Sequence, residues 1–236
     1  MTRRRPPTRR LRPLVAALAL LAAPARASAD CALALILALD VSGSVDPREW
    51  RLQTGGLAAA FRHPDLVEAI LGLDGELRLA VTQWTGASRQ QVAMPARRLA
   101  GPDDIAAAAD GLETMPRVWR HFSTAVGEAL MHAVAYGEGG WADGCRRKVI
   151  DVSGDGVSNE GLPPAGGRAM AEAGGWTVNG LAIEGADPPV APHYRAEMIV
   201  GPDAFVEVAD GFEDYPRAIL RKLLKEIRPE ARVAER

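Results

Sequence analysis

Along the chain, unbroken apolar runs alternate with stretches in which apolar side chains return every three or four positions. Residues 33–39 (LALILAL) are seven apolar residues in a row, the pattern of a strand covered on both faces. A helix should follow, with Asp46 placed to cap it, Pro47 at its first position and Glu49 three residues after the cap. Trp50, Leu57 and Phe61 then recur at helical spacing as far as Arg62. LRLAVTQW (77–84) and QQVAM (90–94) read as two strands around a hairpin turn, TGASR. Helical periodicity returns in 102–112 and 124–137, on either side of a loop containing Pro116. KVIDVS (148–153) is a further strand and 163–175 a glycine-weakened helix. WTVNGLAI (176–183) and AFVEVA (204–209) are two more strands, and PRAILRKLLKEI (216–227) is the closing helix.

Strands alternating with helices imply a three-layer, doubly wound α/β fold. The sheet should be six-stranded and mostly parallel, with 90–94 as one antiparallel edge strand and helices on both faces. In such sheets ligands bind beyond the carboxyl ends of the strands, where the strand order reverses. The first strand runs out at that end into DVSGS (40–44).

The amino terminus changes how composition is read. Residues 1–29 have an arginine-rich start, an apolar run over 14–23 and Ala27-Ser28-Ala29 at the end. That is the order of a secretory signal peptide. The apolar run is about half of the ~20 residues that a membrane span needs, so no stable membrane anchor is expected after cleavage. The domain should occupy 30–227, and 228–236 should be a charged, flexible tail. The whole chain holds 28 basic and 30 acidic residues; seven of the arginines and no acid lie in 1–29, which leaves 21 against 30, a net charge of −9. So acidic a surface repels phosphate backbones and argues against nucleic-acid binding. It suits cations or a basic partner, and export points to a periplasmic or secreted location.

The chemistry-bearing residues cluster at strand ends. Asp40, Ser42 and Ser44 supply one carboxylate and two hydroxyls from one tight turn. A hard divalent cation such as Mg²⁺ or Mn²⁺ takes oxygen ligands, about six for Mg²⁺, and three cannot complete that shell. Thr124 and Asp155, in SGDG (153–156), stand at equivalent loop positions and bring the set to two carboxylates and three hydroxyls. The same serines and aspartate would also suit helix capping, so a scaffold without an ion is the plainer alternative.

With DVSGS at 40–44, the threonine of TAVGEAL (124–130) and the aspartate of SGDG in that order, the sequence resembles the von Willebrand factor A (vWA) domain family. It looks closest to an uncharacterised branch of secreted, single-domain bacterial proteins, through VIDVSGDG, NGLAI and VADGFEDY. The resemblance implies a metal-ion-dependent adhesion site. Ser42, Ser44 and Thr124 would touch the ion, Asp40 and Asp155 would hold it mostly through water, and one position would be left for the carboxylate of a protein partner. The family usually places small residues before the threonine; here Trp119, Arg120, His121 and Phe122 line the approach, with Ser123 a second hydroxyl donor. These four and Asn159 are candidate partner contacts. The resembled fold also sets Cys31 and Cys145 at the far end of adjacent parallel strands, where a disulfide would suit an oxidising compartment.

Other signals are weaker. The four histidines lack the spacing of a zinc site, SGDG lacks the lysine of a phosphate-binding loop, and there is no G-x-S-x-G elbow. A metal-assisted hydrolase working around the same ion is an alternative function, with Arg120 the sole nearby phosphate clamp and no base fixed by a motif. Trp84, Trp141 and Trp176 are further aromatic candidates for a partner surface, Trp176 being better placed for the core. Asp151 lies inside an apolar strand, where a lone carboxylate must find a partner, either behind the metal site or in a helix layer.

Overall fold

A computed structural model describes residues 30–228; the expected signal peptide, and all of the expected tail except Arg228, lie outside the described residues. The strands are β1 (Cys31–Asp40), β2 (Glu76–Trp84), β3 (Gln90–Leu99), β4 (Arg147–Gly154), β5 (Thr177–Ile183) and β6 (Val206–Ala209). They form one sheet in the order β3-β2-β1-β4-β5-β6, parallel throughout except for the antiparallel β2–β3 pair. The helices are α1 (Pro47–Arg62), α2 (Pro64–Leu71), α3 (Pro102–Glu113), α4 (Val126–Gly137), α5 (Pro164–Ala173), α6 (Val190–His193) and α7 (Tyr215–Ile227).

β1 is central, and all ten of its residues are buried. Successive side chains point to opposite faces, so the strand feeds two cores. Leu33, Leu35, Leu37 and Leu39 pack with Leu57 and Phe61 of α1, Ile105 of α3 and Ile219 and Leu223 of α7. Ala34, Ile36 and Ala38 face Val126 and Leu130 of α4, Ala171 of α5 and Tyr194. This is the expected three-layer arrangement. The strand order reverses between β1 and β4, which places the crevice beyond Asp40 and Gly154.

Boundaries differ where local chemistry outweighs periodicity. α1 ends as expected, but His63-Pro64 starts a second helix at once, His63 Nδ1 accepting from the Asp65 N–H at 3.3 Å. β3 runs five residues past the expected Met94, through Pro95. An edge strand tolerates a proline because its outward N–H needs no partner. The segment 190–198, unassigned from sequence, forms α6 and a single wide helical turn, Tyr194–Met198.

Cys31 and Cys145 are joined in a disulfide. Cys31 is the first residue of β1 and Asp40 the last, so the bridge closes the end of the sheet opposite the crevice. Asp151 finds its partner in a helix layer: Lys222 Nζ of α7 lies 2.7 Å from Asp151 Oδ1 and 2.6 Å from Glu226 Oε1. Glu226 Oε1 also accepts from Asn179 Nδ2 at 2.8 Å.

Candidate metal centre

Asp40 closes β1, and its even-numbered register puts its side chain on the α4–α5 face of the sheet. It is fully buried. Its Oδ1 accepts the Ser42 N–H at 2.7 Å, an Asx-type turn that bends the chain back over the strand end. Ser42 Oγ and Ser44 Oγ are 3.1 Å apart, and Ser44 Oγ donates to Asp155 Oδ1 at 2.8 Å. The β4 loop thereby meets the β1 loop through side chains 111 residues apart in sequence. A capping box at Asp46 and Glu49 starts α1 immediately afterwards and holds the turn from its other side.

The third loop is tied in through its backbone. Gly43 N–H donates to Phe122 O at 2.8 Å. Arg117, which the sequence reading did not single out, donates from Nη2 to Ser42 O at 2.7 Å and Val41 O at 3.2 Å. Gln83, at the end of β2, grips Pro116 O at 2.8 Å and the Val118 N–H at 2.9 Å. Thr124 is buried and precedes α4, which begins at Val126. Asn159 Oδ1 accepts the Thr124 N–H at 2.9 Å, and Thr124 O accepts the Asn159 and Glu160 N–H groups. A Cβ placed on Gly156 would lie 3.2 Å from Thr124 Oγ1, so this hydroxyl borders the turn that carries Asp155. Asn159 positions the threonine loop through that hydrogen bond.

The structure therefore brings Asp40, Ser42, Ser44, Thr124 and Asp155 to one rim. Ser123 is exposed, and its carbonyl accepts from Thr85 Oγ1 at 2.9 Å. Arg120, His121 and Phe122 are exposed beside the rim, with the Arg89 guanidinium 3.6 Å above the Phe122 ring. Trp119 is half-buried and packs on the α1–α7 core. Trp84 and Trp176 are buried in the other core, away from any partner.

The electrostatics are those of two carboxylates short of positive charge. Burial raises the Asp40 carboxyl to about 7 and Asp155 pushes it in the same direction, against the Ser42 hydrogen bonds and Arg117. Burial also raises Asp155, against its bond from Ser44. Asp40 Oδ2 is buried with no hydrogen-bond partner among the described residues. An orphaned carboxylate oxygen beside a second carboxylate and three hydroxyls is a donor set that fits a hard cation.

Comparison with solved structures agrees on the fold. Proximal thread matrix protein 1 from the mussel byssus superposes with a TM-score of 0.64 at 18% identity, over 84% of this chain and 48% of that one. A second structure of that mussel protein has a zinc-occupied MIDAS motif. A von Willebrand factor type A protein from Catenulispora acidiphila gives 0.61 at 17% identity, over 84% and 43%. The vWF domain of the type V pili tip protein Mfa5 from Porphyromonas gingivalis gives 0.58 at 9% identity, over 86% and 98%. The chain thus spans about half the length of the first of these proteins and nearly all of the isolated domain. No curated protein matches the sequence. With a vWA fold in place and a sequence profile matching over residues 30–231, the chain belongs to the family described as "Protein of unknown function (DUF1194)".

Proposed function

We propose that residues 30–227 are an exported binding module that engages an acidic side chain of a protein partner through a divalent cation, Mg²⁺ or Mn²⁺. Asp40, Ser42, Ser44, Thr124 and Asp155 are the residues that would hold the ion. The observation that carries this reading is the pair of carboxylates at one rim, Asp40 buried with an orphaned oxygen, Asp155 half-buried, and both shifted toward protonation. An ion there relieves their repulsion. Because much of the donor set is neutral hydroxyl, the bound cation keeps enough charge to attract a further carboxylate. The zinc-occupied motif of the mussel protein supports ion binding by this fold. Oxygen-only donors favour the harder Mg²⁺ or Mn²⁺ here.

Charge around the rim supports a direction of approach. Arg117, Arg120 and His121 lie on the threonine-loop side, in a stretch from 115 to 127 that contains no acid. Across Asn159 the surface opens into a shallow groove bordered by Glu160 and Glu197. An acidic partner segment approaches over the arginine side, where Phe122 offers an apolar contact. The leader-like residues 1–29 and the disulfide support a periplasmic or secreted location.

Thermal melting tests the metal step. Mg²⁺ or Mn²⁺ added to the metal-free protein should raise Tm, EDTA should reverse the rise, and Ser42→Ala or Ser44→Ala should abolish it. A Tm that ignores both metals and EDTA in the unmutated protein refutes the reading.

A further inference from the structure

Tyr194, in the segment that the sequence left unassigned, is completely buried, and its hydroxyl has no hydrogen-bond partner among the described residues. Leaving such a group unpaired in an interior is costly, so its surroundings are informative. The ring lies against β5, where a Cβ on Gly180 would come within 2.9 Å of Tyr194 Cδ2. The hydroxyl reaches β4, where a Cβ on Gly154 would lie 2.5 Å from Tyr194 Oη and 2.9 Å from Asp40 Oδ2. Gly180 pairs with Val152, two residues before Gly154, so both glycines open the same face of the sheet. Asp40 occupies that face on β1. Two glycines on neighbouring strands thus clear a path by which the tyrosine crosses the sheet, and its hydroxyl borders the same small space as the orphaned oxygen of Asp40.

We infer that Tyr194 is a positioning residue of the metal site, its hydroxyl holding Asp40 Oδ2 through one bridging water. A water needs at least two polar partners, and these two buried oxygens supply them. Asp40 is then fixed from both sides, by the Ser42 N–H on Oδ1 and by the tyrosine on Oδ2. Each oxygen keeps a second lone pair free for a cation or its water, so the carboxylate does not need to reorient when a cation arrives. This role rests on the metal-binding reading above and adds a residue that lies outside the three rim loops.

Tyr194→Phe keeps the ring and removes only the oxygen. In EDTA the variant should melt close to the unmutated protein, because a water-mediated bond, offset by the entropy of holding the water, contributes little net stability. Titrated with Mg²⁺ and followed by Tm or calorimetry, it should bind about five- to tenfold more weakly, the scale of one ordinary hydrogen bond. Tyr215→Phe, which removes another buried hydroxyl on the opposite face of the sheet, should leave Mg²⁺ affinity unchanged. A Tyr194→Phe variant with unaltered Mg²⁺ affinity, or one clearly destabilised in EDTA, overturns the role of Tyr194 alone. An unmutated protein indifferent to Mg²⁺ and Mn²⁺ overturns it together with the metal site.

Discussion

Asp40 shows how far one side chain is shaped by its place in a sheet. In the unfolded chain it titrates near the ordinary 3.8; in the metal-free fold, burial and Asp155 move it to about 7. A carboxyl raised by folding favours the native state only while it keeps its proton. Its contribution is therefore intact below about pH 4 and is lost as pH rises toward 7. In EDTA the protein should melt higher at pH 5 than at pH 8, and Asp40→Asn should shrink that difference without removing it, because burial also raises Asp151 and Asp155. Mg²⁺ should act in the opposite sense, raising Tm more at pH 8, where protons no longer compete. A melting series over pH with and without Mg²⁺ checks both signs. From the sequence, DVSGS already marked the carboxylate and hydroxyls as a ligand-type turn, because the strand before it is so plainly apolar. Arg117 and Tyr194 were not legible: an arginine in a loop and a tyrosine in an unassigned segment acquire a role only when folding carries them to Asp40.

At the level of elements, α7 ties the helix layer to the sheet by charge as well as by apolar packing. Lys222 and Glu226 lie on the buried stripe of the helix, four residues apart, together with Ile219, Leu223 and Ile227. That spacing was visible in PRAILRKLLKEI and is the signal that could have identified the partner of Asp151. Breaking a buried ion pair by removing one member leaves the other charge stranded, at a cost of about 3–5 kcal/mol. Lys222→Met should lower unfolding stability by that order in urea titrations while retaining the Mg²⁺ response, since Asp151 lies on the opposite face of the sheet from Asp40. Elsewhere, element ends departed from the periodic reading for identifiable reasons. His63-Pro64 restarts a helix that periodicity ended, and Pro95 is tolerated in β3 because that strand forms an edge.

On the scale of the whole molecule, the two ends of β1 have different work. The disulfide at Cys31 closes a loop spanning 114 residues at one end, and the rim lies at the other. Loop-closure entropy assigns such a bridge about 4–5 kcal/mol. Replacing both cysteines with serine should lower Tm substantially while leaving Mg²⁺ affinity close to that of the unmutated protein. A metal response lost along with the bridge would mean that the two ends are coupled through β1. Among the described residues no helix is long and apolar enough to cross a membrane.

The sequence alone determined the α/β architecture, the central strand and the turn that follows it, because periodicity and apolar runs are local properties written in consecutive residues. It also brought the threonine and the second aspartate into view, since both stand at predictable strand or helix ends. Only the tertiary structure decided which side chains meet. The Asp151–Lys222 pair, the grip of Arg117 on Ser42 and the approach of Tyr194 to Asp40 each join residues from 71 to 154 positions apart. Such contacts depend on strand order and on which face each residue takes, and no local pattern encodes either.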